Sequence, residues 1–265
     1  MADFQFKKNY NVYDLAEIVK MLRSENGCPW DKVQTHETIR NNFLEEVYEV
    51  IEAIDMKNAD MLKEELGDVL LQVVFHCEME TEIDSFNLDD VANDICQKLI
   101  IRHPHVFGDI NVKNTDEVLT NWENIKQQTK GQESYTDTLE SVPKVFPALM
   151  RGQKLGKRAA RAGMDFESAD KAFEALESEV SELKEALSEN DSDRIAEEHG
   201  DLLFSCCNVA RLNGIDAEEA LQRANEKFIS RFKKVEEMTR LDGIDMKSLG
   251  INELDCYWQK TKSSK

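Results

Sequence analysis

The sequence predicts an all-α fold built from two tandem copies of one helical unit, and three observations carry that prediction. Apolar residues recur at three- and four-residue intervals along most of the chain. Only 4 prolines and 11 glycines interrupt 265 residues, and no segment sustains the apolar–polar alternation of a half-buried strand. Residues 46–70 align without a gap on residues 179–203 at an offset of 133 and share 11 identities, which points to duplication rather than shared composition.

Helical periodicity runs through Val12 to Leu22, Ile39 to Met56, Met61 to Met79, Leu88 to Ile101 and Val118 to Ile125. The second half repeats the order with Val142 to Ala162, Ala169 to Leu187, Ile195 to Leu212, Ala217 to Met238 and Leu254 to Lys262. Turn-forming residues mark the breaks: Gly27-Cys28-Pro29-Trp30 after the first helix and His103-Pro104-His105 after the fourth. The polar stretch from Gly131 to Val142, ending before Pro143, is the expected linker. The expected domains are therefore residues 1–134 and 135–265, each with a four-helix type of core.

Charge restricts the partners. Against 33 Lys and Arg stand 53 Asp and Glu, a formal charge of −20 with no basic run to offset it, so a nucleic-acid polymer or an anionic membrane surface is excluded as a general partner. The N-terminal residues lack the apolar core of a secretion signal, and stretches such as Val69 to Phe75 are too short to span a bilayer. The six cysteines form no Cys-x-x-Cys pair and suit a reducing compartment, so a cytoplasmic protein with mostly core-packed thiols is expected.

One constellation is repeated with its spacing intact. Glu46 and Glu49, followed by Glu65 and Asp68, return as Glu179 and Glu182, followed by Glu198 and Asp201. Residues three apart share a helix face, and the break near Asn58 and Ala59 brings a second helix back beside the first, so four carboxylates can converge on one volume. Packed without a cation, they would repel and raise one another's pKa. An oxygen-only donor set suits Mg²⁺, with Mn²⁺ as substitute, better than Zn²⁺. Gly67 and Gly200, next to the aspartates, each cost a helix about 1 kcal/mol relative to Ala, which suggests close helix approach or ligand access. A solvated acidic face is the bland explanation of either pair alone; the duplicated spacing, running straight into apolar residues such as Leu202, Leu203 and Phe204, argues against it. A di-iron bundle would need Glu-x-x-His, and none of the five histidines has an acid three residues before it. His199 stands where the first copy has Leu66 and reads as a helix-side residue rather than a ligand.

Cations follow each acidic block. Lys98 and Arg102 in the first copy, and Lys227 and Arg231 in the second, are four apart and share a helix face. Trp122 with Lys126, and Trp258 with Lys262, repeat a basic residue one turn beyond an aromatic. Surface ion pairing is the ordinary use of such residues; recurrence in matching order favours phosphate binding, Arg with two parallel donors and Lys as a compact charge. The tryptophans suit either stacking on a base or, the better fit for their bulk, anchoring the terminal helix to the core. Arg194, one turn before Glu198, is placed either to steady that carboxylate or to touch a triphosphate.

The run Gly27-Cys28-Pro29-Trp30-Asp31-Lys32, the block Leu44-Glu45-Glu46-Val47-Tyr48-Glu49-Val50, the Glu65-Leu66-Gly67-Asp68 turn and Arg102-His103-Pro104-His105-Val106-Phe107-Gly108 closely resemble the tandem-repeat bacterial MazG family of nucleoside triphosphate pyrophosphohydrolases. The resemblance covers nearly the whole chain. It implies an Mg²⁺-dependent, commonly homodimeric enzyme that splits the α–β phosphoanhydride of NTPs and dNTPs into a nucleoside monophosphate and pyrophosphate. It also implies that the second repeat carries the activity, with Glu179, Glu182, Glu198 and Asp201 as metal ligands and Lys227, Arg231, Trp258 and Lys262 as nucleotide contacts. Two departures bear on base preference: Lys157 to Phe166 ends in Phe where relatives often have Trp, and His199 replaces a usual aliphatic residue. Glu46, Glu49, Glu65 and Asp68, with Lys98, Arg102, Trp122 and Lys126, are the corresponding candidates for a second metal and phosphate site. A non-catalytic helical dimer that binds metal and nucleotide is the rival from composition alone, and it leaves the phosphate-side cations unexplained.

Overall fold

The computed structural model describes residues 4–115, 117, 118, 121, 122, 125, 129, 132 and 134–263. Among these the chain forms eleven uninterrupted α-helices, further helical residues between 115 and 129, and two short 3₁₀ turns, with no strand. It divides into two compact units, residues 1–126 and 127–265. The helix expected over Val118 to Ile125 includes positions outside the described residues; its described members are helical.

In the first unit, α1 (Val12–Arg23) opens on a capping box. The Asn11 side chain accepts from the Tyr13 and Asp14 N–H groups, and the Asp14 carboxylate accepts from the Asn11 N–H. The helices α2 (Arg40–Asp55) and α3 (Ala59–Thr81) form a tight hairpin. Lys57 takes a left-handed φ of 54° at the reversal, and the Asn58 side chain then caps α3 by accepting from Met61 N–H. Val19 of α1, Ile39, and Val74, Phe75 and Met79 of α3 make the core, with Leu88 at the start of α4 (Leu88–Arg102) packed against it. Arg23 ties the segment after α1 to that core. Its guanidinium donates to both carboxylate oxygens of Glu82, at 2.6 and 2.8 Å, and to the carbonyls of Asp31 and Gln34, while lying over the Phe75 ring. Helix α5 (Pro104–Phe107) begins with proline at its first position, where the missing N–H costs nothing.

The second unit departs from expectation at its entry. The segment expected to be a linker contains α6 (Tyr135–Glu140), capped by Ser134. The helix expected from Val142 starts only at Ala148, because Pro143 and Pro147 hold the chain out of helical geometry; α7 spans Ala148–Arg161. Helices α8 (Ala169–Glu189) and α9 (Ser192–Leu212) repeat the hairpin, with Asn190 left-handed (φ 57°) and Asp191 accepting from the Asp193 and Arg194 N–H groups. Helix α7 lies along α9 on a glycine seam. A Cβ on Gly152 would stand 3.2 Å from Cys207 Sγ, and one on Gly156 would stand 2.5 Å from Asn208 Oδ1. Gln153 donates to the Ile215 carbonyl and accepts from Ala217 N–H, which fixes the start of α10 (Ala217–Leu241) on α7. Helix α11 (Ile251–Ser263) packs back on α10.

Two burial expectations fail. Leu203 and Phe204, expected beneath the acidic turn, remain exposed; Ser205, Cys207 and Asn208 fill that interior. Of the six cysteines only Cys77 and Cys207 are buried, whereas Cys96, Cys206 and Cys256 are exposed. Among the described residues no helix is long and apolar enough to cross a membrane.

The glycines separate by surroundings. No atom lies within 4 Å of a Cβ placed on Gly67, so Gly67→Ala should raise stability by about 1 kcal/mol through helix propensity. Gly156→Ala gains the same propensity but displaces the buried Asn208 amide from its bonds to Arg211 and the Phe204 carbonyl, and should show a net loss of ~1–3 kcal/mol. Urea unfolding of the two variants beside the parent chain checks the opposite signs.

Candidate active site

The α8–α9 hairpin brings three carboxylates together. Glu179 and Glu182 stand on successive turns of α8 and Glu198 on α9, and one oxygen from each lies within 4.8 Å of the others. Glu198 is only 8% exposed, although acids are seldom buried without a partner. Asp201 lies outside that group and is exposed, yet close enough to act on Glu179. Burial first, then the charges of Glu182, Asp201 and Glu198, raise the Glu179 pKa. The expected set is therefore three converging oxygens with Asp201 at the rim.

Neighbouring side chains hold these carboxylates in place. Ser178 donates its hydroxyl to Glu182 Oε1 at 2.9 Å. Arg194 crosses from α9 to α8, donating to Glu185 at 2.8 Å and Glu189 at 2.5 Å, with its Nε 3.7 Å from Glu198. Of the two roles expected for Arg194, the steadying one fits this geometry. Neither Ser178 nor the Glu185–Glu189 pair is singled out by the sequence motif, although Ser178 lies four residues before Glu182 and so on its face. His199 Nδ1 donates to the Ile195 carbonyl at 2.9 Å, a bond within its own helix, as expected of a helix-side residue. The face of Gly200 is open, with no atom within 4 Å of its missing Cβ; close helix approach is thus excluded there and at Gly67, leaving access.

The first unit repeats the arrangement. Glu46 and Glu49 on α2 and Glu65 on α3 form the equivalent group, with Glu65 9% exposed. The Glu46 pKa is raised by burial and then by Asp68, Glu49 and Glu45; that of Glu65 is raised by burial and by a hydrogen bond with Glu49. Both groups offer only hard oxygen donors, close enough to share one ion and strained electrostatically without one, which fits a divalent metal.

The cations occupy other helices. Lys227 and Arg231 lie on α10, and Trp258 and Lys262 on α11. Trp258 packs against Phe228 with ring centroids 5.3 Å apart, and the Arg231 guanidinium lies 5.9 Å from its ring centre, so the tryptophan anchors α11. Among the described residues, Lys227, Arg231 and Lys262 make no ion pair within 4.0 Å, with the four acids or any other. In the first unit, Lys98 is exposed on α4. Arg102 is 9% exposed and lies 5.0 Å from the Trp122 ring centre, its Nε lacking a hydrogen-bond partner among the described residues. Arg102 is thus far more enclosed than Arg231. Lys126 lies outside the described residues.

Among the described residues the chain is all-helical with duplicated carboxylate hairpins, a class of helical protein with an oxygen-donor set suited to a cation, and the comparisons narrow it. The MazG nucleotide pyrophosphohydrolase domain matches twice, at residues 34–107 and 167–236, spans that contain both carboxylate hairpins and, in the second, Lys227 and Arg231. The nucleoside triphosphate pyrophosphohydrolase/pyrophosphatase MazG of Thermotoga maritima is 45% identical over 249 residues, 94% of either chain. The nucleoside triphosphate pyrophosphohydrolase of Escherichia coli K12 is 43% identical over 253 residues, covering 94% of this chain and 95% of that one. An uncharacterized protein of Bacillus subtilis, YabN, is 41% identical across 93% of this chain and 50% of its own length. The chain belongs to the MazG nucleotide pyrophosphohydrolase family.

The raised Glu179 pKa fixes the sign of a linkage. An acid whose folded pKa lies above its unfolded value costs nothing while protonated in both states; the fold loses stability as pH rises from the unfolded to the folded pKa and keeps that penalty above it. Without metal, Glu179→Gln should therefore raise the melting temperature relative to the parent chain, more at about pH 7.5 than at about pH 4.5. A divalent cation should stabilise the parent chain most at the higher pH and stabilise the variant less. Thermal melts with and without chelator read both effects.

Proposed function

We propose that the chain is an Mg²⁺-dependent nucleoside triphosphate pyrophosphohydrolase that cuts NTPs and dNTPs between the α and β phosphates, releasing a nucleoside monophosphate and pyrophosphate. The observation that carries the reading is the convergence of Glu179, Glu182 and Glu198, with Asp201 at the rim, on a hairpin that falls within the second matched family domain. Glu179, Glu182, Glu198 and Asp201 hold the metal; Mg²⁺ is the favoured ion for oxygen-only donors, with Mn²⁺ as substitute. The bound ion supplies charge neutralisation at phosphate oxygens and a more acidic water.

The chain's own residues do the rest. Glu185 and Glu189 fix Arg194 against Glu198, so that carboxylate keeps its orientation when the substrate's negative charge arrives. Lys227 and Arg231, free of acidic partners among the described residues, bind the triphosphate and oppose the charge that builds on departing pyrophosphate. Trp258 holds α11 against α10 and so positions Lys262, one turn on, for the same task. The second repeat, residues 135–265, carries the turnover. The first, residues 1–134, serves assembly or regulation through Glu46, Glu49, Glu65 and Asp68, with Lys98, Arg102, Trp122 and Lys126 as its phosphate-side residues.

A homodimer is the working form. Leu203, Phe228, Ile229 and Phe232 are 42–56% exposed on α9 and α10, an apolar surface a second copy would cover. Six unpaired thiols suit a cytoplasmic location, and the net charge of −20 disfavours nucleic-acid polymers and anionic membranes as partners.

Incubation with mixed NTPs and Mg²⁺ should release pyrophosphate and nucleoside monophosphates; orthophosphate as the product, or no product, refutes the reading. Glu198→Gln or Asp201→Asn should cut turnover well beyond the ~10–100-fold typical of residues that only support a ligand. The full chain with Glu46→Gln and Glu65→Gln should retain most of its turnover, and equal losses from both repeats would reject the division of labour.

A further inference from the structure

Apart from both carboxylate groups, two histidines of the first unit face each other. His36 lies in the turn before α2 and His76 on α3, and their Nδ1 atoms are 2.6 Å apart. The ring planes agree within 6° and the centroids are 4.9 Å apart. That separation equals the nitrogen–nitrogen distance plus a ring radius at each end, so the rings meet edge to edge in one plane rather than face to face. On the other side of His36, Nε2 is 2.7 Å from Glu80 Oε1. An ionised carboxylate only accepts, so the His36 proton sits on Nε2 and its Nδ1 presents a lone pair, which takes the Nδ1–H of His76. Both rings line a cavity of about 350 Å³ shared with Glu37, Arg40 and Phe43.

We propose that His36 and His76 are the protein ligands of a second kind of metal site, selective for Zn²⁺ or a similar borderline divalent ion such as Ni²⁺ or Co²⁺. Paired imidazoles favour such ions over Mg²⁺, which separates this site from the carboxylate hairpins. A histidine that binds metal through one nitrogen typically donates from the other to a carboxylate, and Glu80 already occupies that place on His36. A tetrahedral ion with bonds of ~2.0–2.1 Å holds its ligand nitrogens ~3.4 Å apart, so the rings need to part by less than about 1 Å and each to swing by about 35° to aim its lone pair at the ion. The ion replaces the proton now between the two nitrogens, and that proton moves to His76 Nε2. Burial and the neighbouring His36 lower the His76 pKa, which keeps the ring neutral and able to coordinate at neutral pH. Glu37, whose carboxylate accepts from the Thr35 hydroxyl, lines the same cavity without closing on the two rings, so water completes the coordination. Arg40 adds a positive charge to the same cavity and opposes cation binding there.

The test uses the chelator-stripped full chain in excess Mg²⁺, which competes for the oxygen-only carboxylate groups and leaves the imidazoles free. Titration with Zn²⁺ by calorimetry, and with Co²⁺ by visible absorption, should show one equivalent per chain with a nitrogen-ligand spectrum. His36→Phe and His76→Phe keep a flat ring in each position and should weaken Zn²⁺ binding at least 10-fold. Glu80→Gln should weaken it ~10–100-fold, and the Glu46→Gln, Glu179→Gln double variant should leave it unchanged. Melting curves confirm that each variant is folded. Failure of Zn²⁺ to bind in excess Mg²⁺, or equal affinity in folded His36→Phe and His76→Phe, overturns the assignment.

Discussion

Like charges held at close range are the constraint on which the second unit turns. Glu198 is nearly buried beside Glu179 and Glu182, and the α8–α9 hairpin must keep the three oxygens from moving apart. The surroundings serve that end. The Asn190–Asp191 reversal is short and capped, Arg194 clamps the two helices at the same end, and Ser178 restrains Glu182. The repulsion is stored in the fold and can be relieved from outside by a cation, so binding energy and structural strain are linked through the same side chains.

The two repeats share this core and diverge around it. In the first unit the acids stand on α2 and α3, and α1 packs directly on α3 through Val19. In the second, α7 takes a comparable place against α9 through glycines. Arg102 is enclosed against Trp122, whereas Arg231 keeps part of its surface beside Trp258. A duplicated motif thus presents its cations differently in the two copies, which accords with different tasks.

Most helices could be read from periodicity because their buried stripes are continuous, and the acid spacing alone was enough to bring Glu179, Glu182 and Glu198 to one point. Where local chemistry competes with pattern, the reading failed. Pro143 and Pro147 override the apolar repeat before α7, and the Ser134 capping box turns a polar stretch into α6. Apolar content misled at Leu203 and Phe204, since hydrophobicity states a preference for burial without saying which chain supplies the cover. The His36–His76 contact joins positions 40 residues apart and leaves no periodic trace. Arg194 fell between, because its spacing from Glu198 was visible while its partners on α8 depend on how the two helices are aligned along their axes.

The seam between α7 and α9 has a consequence for how such a scaffold can vary. At Gly152 and Gly156 the main chain of α7 rests directly on the Cys207 and Asn208 side chains of α9, and neither glycine has a side chain that a smaller one could replace. The α7 side of the seam is thereby closed to any larger residue, and only the α9 side chains remain to be exchanged there. Sequence drift that retunes the protein for a different nucleotide is consequently channelled to outward-facing positions and connecting segments, while the two glycines set the spacing of α7 from α9.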